Sequence, residues 1–192
     1  MHRLPPHAHH PFVPAVEIFV DGPNFNLAQR YEGVPFRIDL NLLANRLSRG
    51  YRFVKLRYYT SPLPDQHSHS SRAQQRFFAQ VSRSSRIELV LGRHEPRIDR
   101  ETGRKYHVEK ETDVNLAVDM VVGAYRDRYD VAMLVAGDSD YVRAAEALKD
   151  RGKQLVWCPL PAQRRVDQLA RLADGTKELD VKFLRTCALP QK

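Results

Sequence analysis

Val131-Ala132-Met133-Leu134-Val135 runs into Ala136-Gly137-Asp138-Ser139-Asp140 and reads as a buried strand that ends in an acidic turn. Near the start of the chain, Val16-Glu17-Ile18-Phe19-Val20 runs into Asp21-Gly22-Pro23-Asn24 in the same way. In an open parallel sheet, ligands bind just beyond the carboxyl ends of the strands. The two turns therefore set three aspartates where an active site is expected. Clustered carboxylates repel one another and cost free energy unless something positive sits among them. A hard divalent cation is the usual partner at such a place.

Working outward from these two strands, the chain alternates strand and helix. Asp39–Ser48 carries Leu40, Leu43, Ala44 and Leu47 at helical spacing, Arg52–Tyr59 is a strand, and Ser71–Ser84 is a helix with Phe77, Phe78 and Val81 on its apolar face. Ile87–Leu91 is the third strand. Thr112–Asp127 is the clearest helix, its apolar stripe built from Val114, Ala117, Val118, Val121, Val122 and Tyr125. After Val131–Val135 come a helix over Tyr141–Arg151 stopped by Gly152, a strand over Gln154–Cys158, a short helix within Arg164–Leu172, and a last strand or turn near Glu178–Phe183. Such alternation predicts an α/β fold, a three-layer α/β/α sandwich with a mainly parallel central sheet. The expected organisation is a disordered lead-in over 1–14, one domain over 15–186 and a tail over 187–192. Ser61–Ser71, rich in Ser, Pro and His, and Arg93–Lys105, charged and poor in apolar residues, read as mobile.

Composition narrows the functional classes. No apolar run approaches the roughly 20 residues that span a bilayer. The lead-in holds four histidines and four prolines and does not resemble a secretory signal. Cys158 and Cys187 lack zinc-site spacing, and a cytoplasmic chain keeps them reduced, Cys158 as a core thiol. The net charge of +8 already counts the suspected catalytic carboxylates on the acidic side, so the remaining surface is more basic than the total. A basic surface around an acidic pocket suits a polyanion attacked at its phosphate.

Each acidic position also has an ordinary structural role open to it. Asp21-Gly22-Pro23-Asn24 can be a turn with a helix-capping Asn. In Asp138-Ser139-Asp140 one residue suffices to cap the next helix, and two aspartates around Ser139 exceed that need. Asp113 opens the clearest helix after Lys110. On a helical wheel with Asp113 at zero the apolar stripe centres near about 110°, which puts Asp113 at its edge and Asp119 outside it, facing solvent. Conjunction carries the functional reading: an α/β sheet can bring Asp21, Asp113, Asp138 and Asp140 to one edge, where Mg2+ or Mn2+ is bound through a few carboxylates and waters. No Gly-x-Ser-x-Gly elbow, Walker loop or GxGxxG fingerprint follows any strand.

At these residues the chain resembles the NYN domain family, its LabA-like branch, within the PIN-like nuclease superfamily. The match rests on Phe19-Val20-Asp21-Gly22-Pro23-Asn24-Phe25-Asn26, on the stretch from Lys110 to Met120, and on Val135-Ala136-Gly137-Asp138-Ser139-Asp140-Tyr141. The resemblance implies a hydrolase, an endoribonuclease that cleaves RNA phosphodiester bonds through a metal-activated water. It places Asp21, Asp113 and Asp138 as metal ligands with Asp140 beside them as the catalytic set. It suggests a supporting role for Asn24 and matches Asp119 to a further acidic position; Lys110, to steady the phosphate, and Ser139 complete the expected supporting set. Many members have Gly after the motif's Lys, where this chain has Glu111. A non-catalytic RNA- or protein-binding module on the same fold is the alternative. A phosphatase of the haloacid dehalogenase kind is disfavoured by Pro23, which stands where that type carries a second Asp.

The expected partner is RNA, single-stranded in preference, with no membrane and a homodimer left open. Arg72, Arg76 and Arg83 share one helical face, and Arg93, Arg97, Arg100, Arg104 and Lys105 crowd the segment before the Asp113 helix; together these are the expected grip on the phosphodiester backbone. Tyr58, Tyr59 and Tyr141 lie near strand ends, where they can stack on bases or pack. His67, His69 and His107 are candidate general acids that the sequence does not place.

Overall fold

The computed structural model describes residues 12–65 and 68–190. Strand β1 (Ala15–Asp21) is followed by α1 (Gly22–Tyr31), α2 (Leu40–Leu47), β2 (Arg52–Thr60), α3 (His69–Val81) and β3 (Ile87–Leu91). Two further strands, β4 (Arg93–Ile98) and β5 (Lys105–Lys110), lead into α4 (Thr112–Tyr125). Then come β6 (Val131–Val135), α5 (Val142–Asp150), β7 (Gln154–Trp157), α6 (Asp167–Leu172), β8 (Gly175–Thr176) and α7 (Val181–Arg185). Six strands form one sheet in the order β3-β2-β1-β6-β7-β8, with every neighbouring pair parallel. The expected three-layer α/β fold is the one observed.

Helices cover both faces, so the central strands are apolar throughout instead of alternating. On one side Ile18, Val20 and Leu56 pack with Leu43 and Leu47 of α2 and Val81 of α3. On the other, Phe19, Tyr59 and Leu134 pack with Leu116 and Met120 of α4 and Ala145 and Leu148 of α5. Short polar caps start the helices: Asp39 accepts from the backbone N–H groups of Asn41 and Leu42, and Ser68 from that of Ser71. Strand order turns back between β1 and β6, because β2 and β3 are added outward on one side and β7 and β8 on the other. That reversal opens a crevice at the carboxyl ends of β1 and β6.

Several expectations are corrected. The packed stripe of α4 is Leu116, Met120 and Ala124, all fully buried, whereas Val114, Val118 and Tyr125 are 65%, 52% and 59% exposed. The segment after the helix decides this. It returns over Gly123, where a Cβ would collide with the Tyr129 ring, and the Tyr129 hydroxyl donates to the Met120 carbonyl. Asp119 consequently is half-buried and accepts from the buried Tyr59 hydroxyl at 3.0 Å, instead of being fully solvated as the wheel placed it.

Arg93–Lys105 is no loop. It builds most of the antiparallel β4–β5 ribbon, whose register runs from Arg93 opposite Lys110 to Ile98 opposite Lys105. Asp99 accepts from the N–H groups of Glu101 and Thr102 in its turn, which Gly103 closes at φ 67°. Charge hid the strands, because a ribbon outside the main sheet needs no apolar face. In the other segment expected to be mobile, Ser61 is buried and its carbonyl accepts from Gln74 of α3. Near the C-terminus, the expected strand or turn at Glu178–Phe183 is replaced by β8 before it and α7 across its end. Cys187 is buried, and its carbonyl accepts from the Asp39 N–H, so the boundary expected at 186 lies inside packed structure. The lead-in over 1–11 and His67 lie outside the described residues.

The burial of α4 gives a direct test. Leu116→Ala is expected to cost about 2–5 kcal/mol, while Val118→Ala stays within about 0.5 kcal/mol of wild type, both read from urea unfolding midpoints.

Candidate metal centre at the carboxyl edge of the sheet

Asp21 is the last residue of β1 and 3% exposed. Its Oδ1 accepts from the Asn24 N–H at 3.0 Å, which starts α1, and Pro23 fits the first turn of that helix because it needs no donor there. Gly22 permits the sharp departure: a Cβ at this position would lie 2.6 Å from the Tyr59 carbonyl. The Asp21 Oδ2 accepts from the Tyr141 hydroxyl at 2.8 Å, and the same hydroxyl lies 3.0 Å from Oδ1 of Asp113, in the first turn of α4. Two carboxylates from distant segments thus converge on one phenol, which has a single proton to give.

Asp138 follows β6 and caps the short 3-10 turn Ser139–Tyr141, its Oδ1 accepting from the Asp140 N–H at 3.0 Å. Burial pushes the Asp21 carboxyl up to about 6, and the charges of Asp113 and Asp138 push the same way. Asp113 is exposed as a residue, yet partial loss of hydration at its carboxyl raises it too, with Asp138, Glu109 and Asp140 adding to it. Tyr141 is driven above the usual phenol range by burial and by both carboxylates, so it stays a protonated donor. Among the described residues, no Lys, Arg or His forms an ion pair with Asp21, Asp113, Asp138 or Asp140.

Contrast within β1 makes the point. Glu17 leaves the same strand face, is 2% exposed, and has Arg57 at 3.5 Å and Arg128 at 3.7 Å. One buried carboxylate of β1 is neutralised by the protein, and the other is surrounded by its own kind. Among the described residues no three His, Cys, Asp or Glu side chains stand ready around one ion. Magnesium and manganese do not need that arrangement: Mg2+ keeps several waters and is bound through one or two carboxylates plus substrate phosphate. The all-oxygen set of Asp21 and Asp113, with Asp138 beside it, fits a hydrated hard cation of this kind.

The other expected residues divide. Asn24 is a brace between the two acidic turns, its Oδ1 accepting from the Gly137 N–H at 2.8 Å and from Gln163. Gly137 allows this closeness, since a Cβ there would run into the Gln163 side chain. Ser139, Asp140 and Lys110 are exposed at the rim. Glu111 adopts the left-handed region at φ 78°, the conformation for which Gly is the unstrained choice, and pairs with Arg93 at 2.6 Å. Arg72 and Arg76 are exposed on α3, Arg83 is exposed in the turn after that helix has ended and so leaves the expected shared face, and Arg104 and Lys105 are exposed at the tip of the β4–β5 ribbon. Arg93 and Arg97 are engaged with Glu95. Tyr58, Tyr59 and Tyr141 are buried at 4%, 0% and 0% and cannot offer a ring face to a base.

Sequence reading missed Tyr141 as the shared donor, although it directly follows Asp138-Ser139-Asp140. It also missed Glu109, whose Oε1 accepts from the Thr112 hydroxyl and whose charge reaches Asp113. Gln163 carries no local signal, because its role arises only from packing against Asn24.

A family model described as the NYN domain matches residues 15–179. No curated protein matches the chain. Among solved structures, the crystal structure of a protein of unknown function from Vibrio parahaemolyticus is similar at 22% identity and a TM-score of 0.67, over 95% of this chain and 100% of that one. MurG of Acinetobacter baumannii is similar at 10% identity and a TM-score of 0.40, over 85% of this chain and 41% of its own, and carries no argument.

A carboxyl with a folded pKa near 6, against the usual 3.8, holds its proton more tightly when folded. Its contribution to stability is complete below 3.8 and is lost as pH rises through 6, a loss of roughly 3 kcal/mol at neutral pH. In EDTA the protein is therefore expected to melt lower at pH 8 than at pH 5. Asp21→Asn is expected to shrink that difference and to raise the melting temperature at pH 8, as followed by circular dichroism.

Proposed function

The chain belongs to the NYN domain family, and from that premise we propose that it is a divalent-metal-dependent ribonuclease of the LabA-like branch, cleaving phosphodiester bonds within RNA. One observation carries the reading: Asp21 and Asp113 share the Tyr141 hydroxyl beside Asp138, at the strand-order reversal, and among the described residues no cationic side chain is paired to them. NYN domains are PIN-like and generally nucleases that use divalent metals, and the donor set here has the right chemistry for Mg2+ or Mn2+.

Asp21, Asp113 and Asp138 are assigned as the residues that would hold the cation. When bound, the cation supplies an activated water and neutralises charge growing on the phosphate. Tyr141 keeps the Asp21 and Asp113 carboxylates facing each other and holds its own proton at Oη throughout. Asp140, exposed next to Asp138, is placed to orient water, and Lys110 at the rim to steady the phosphate. Asn24 fixes the distance between the two acidic turns through Gly137. Asp119 takes no part in this assignment, because Tyr59 holds its carboxylate. The net charge of +8 favours a polyanionic partner, and RNA reaches the acidic edge as a strand whose phosphates are drawn by the basic residues of α3 and the β4–β5 ribbon.

Asp21→Asn and Asp138→Asn are each expected to abolish Mn2+-dependent cleavage of a labelled single-stranded RNA while leaving the circular dichroism spectrum unchanged. Full activity in both variants overturns the assignment. Wild-type protein that binds RNA with a steep salt dependence yet turns over nothing with Mg2+ or Mn2+ would be the non-catalytic binding module instead.

A further inference from the structure

Beside the acidic edge, a groove runs between α1 and α3. Its inner part is a cavity of about 510 Å³ lined by Phe25, Tyr58 and Phe77 together with the polar ends of Asn26, Gln29 and Gln74. A second hollow continues it past Phe36, Arg37, Phe77 and Leu189, which line both. The inner cavity has the size of ordinary small-ligand sites. Tyr58 separates it from Asp21: its hydroxyl accepts from Asn26 at 3.1 Å, and its ring is what a Cβ at Gly22 would strike.

Charge selects the occupant. Among the described residues no Asp or Glu lines either hollow, while Arg30, Arg37 and Arg76 do, and none of these three has an ion pair there. Arg185 adds a further cation 5.6 Å over the Phe36 ring. The partly exposed rings of Phe36 and Phe77, the neutral amides and these guanidinium groups in one groove match unstacked bases on a phosphate strand. A single strand can splay its bases out to such rings, whereas a duplex keeps them paired and stacked.

We propose that the α1–α3 groove binds the bases and phosphates of single-stranded RNA flanking the bond at the acidic edge. The proposal rests on the nuclease reading for the identity of its substrate and names the face along which that strand lies. It adds Arg30, Arg37, Phe36 and Phe77 to the basic residues of α3 and the β4–β5 ribbon.

The test is binding of a fluorescein-labelled mixed-sequence 12-nucleotide RNA to the full chain in EDTA, by anisotropy across a salt series. The Arg30→Ala, Arg37→Ala double variant is expected to bind roughly tenfold more weakly, with a salt slope shallower by about 1.4 and an unchanged melting temperature. A 4-thiouridine RNA is expected to cross-link to peptides that carry Phe36 or Phe77. Unchanged affinity and slope, or cross-links confined to the β4–β5 ribbon, overturn the groove. Because no turnover is involved, an inactive wild type would refute the nuclease reading and leave this result standing.

Discussion

Two buried carboxylates leave the same face of β1, and the way each is compensated organises the rest of the molecule. Glu17 is answered by Arg57 of β2 and Arg128 after α4, which bind the centre of the sheet to the helical layer above it. Removing one member of such a cluster leaves an uncompensated buried charge, so this part of the fold is fixed. Asp21, four residues further on, meets only an N–H, a hydroxyl and other carboxylates. Asp21 thus stands at a strand end whose ionised form costs free energy. The fold tolerates it because the cost is local and the surrounding apolar layers are complete.

The edge is held open by small contacts. Asn24 ties the turn after β1 to the turn after β6, and Gly22 and Gly137 admit the close approaches that this requires. Tyr141 then draws the start of α4 into the same place through its hydroxyl. Three segments far apart in sequence are therefore registered by one amide and one phenol. The acidic edge and the cation-lined groove between α1 and α3 meet at Tyr58, which packs into the core and bounds both.

Much of this was legible in the residues. The apolar runs ending at Val20 and Val135 are strands because a strand covered on both faces has no polar side to show. The aspartates after them stand at the edge because β-strands in parallel order share their carboxyl ends. The face of α4 was misread for a physical reason: valines recur on one side of it, but Leu116 and Met120 reach further, and Gly123 lets the returning chain close over them. Periodicity counts apolar residues and cannot see which side the next segment covers. The β4–β5 ribbon escaped notice because strand pairing outside a core needs only backbone hydrogen bonds.

The sequence by itself determined the alternation of strand and helix, the parallel sheet and the acidic turns of Asp21 and of Asp138 and Asp140 at its carboxyl edge, since these follow from local polarity and turn chemistry. It also carried the three motifs by which the family is recognised. Tertiary structure alone decided that Tyr141 bridges Asp21 and Asp113, that Asp119 belongs to Tyr59, and that Gln163 supports Asn24. Each of these is a hydrogen bond between groups at least 28 residues apart. Such partners are chosen by how the layers pack, and no local pattern encodes that.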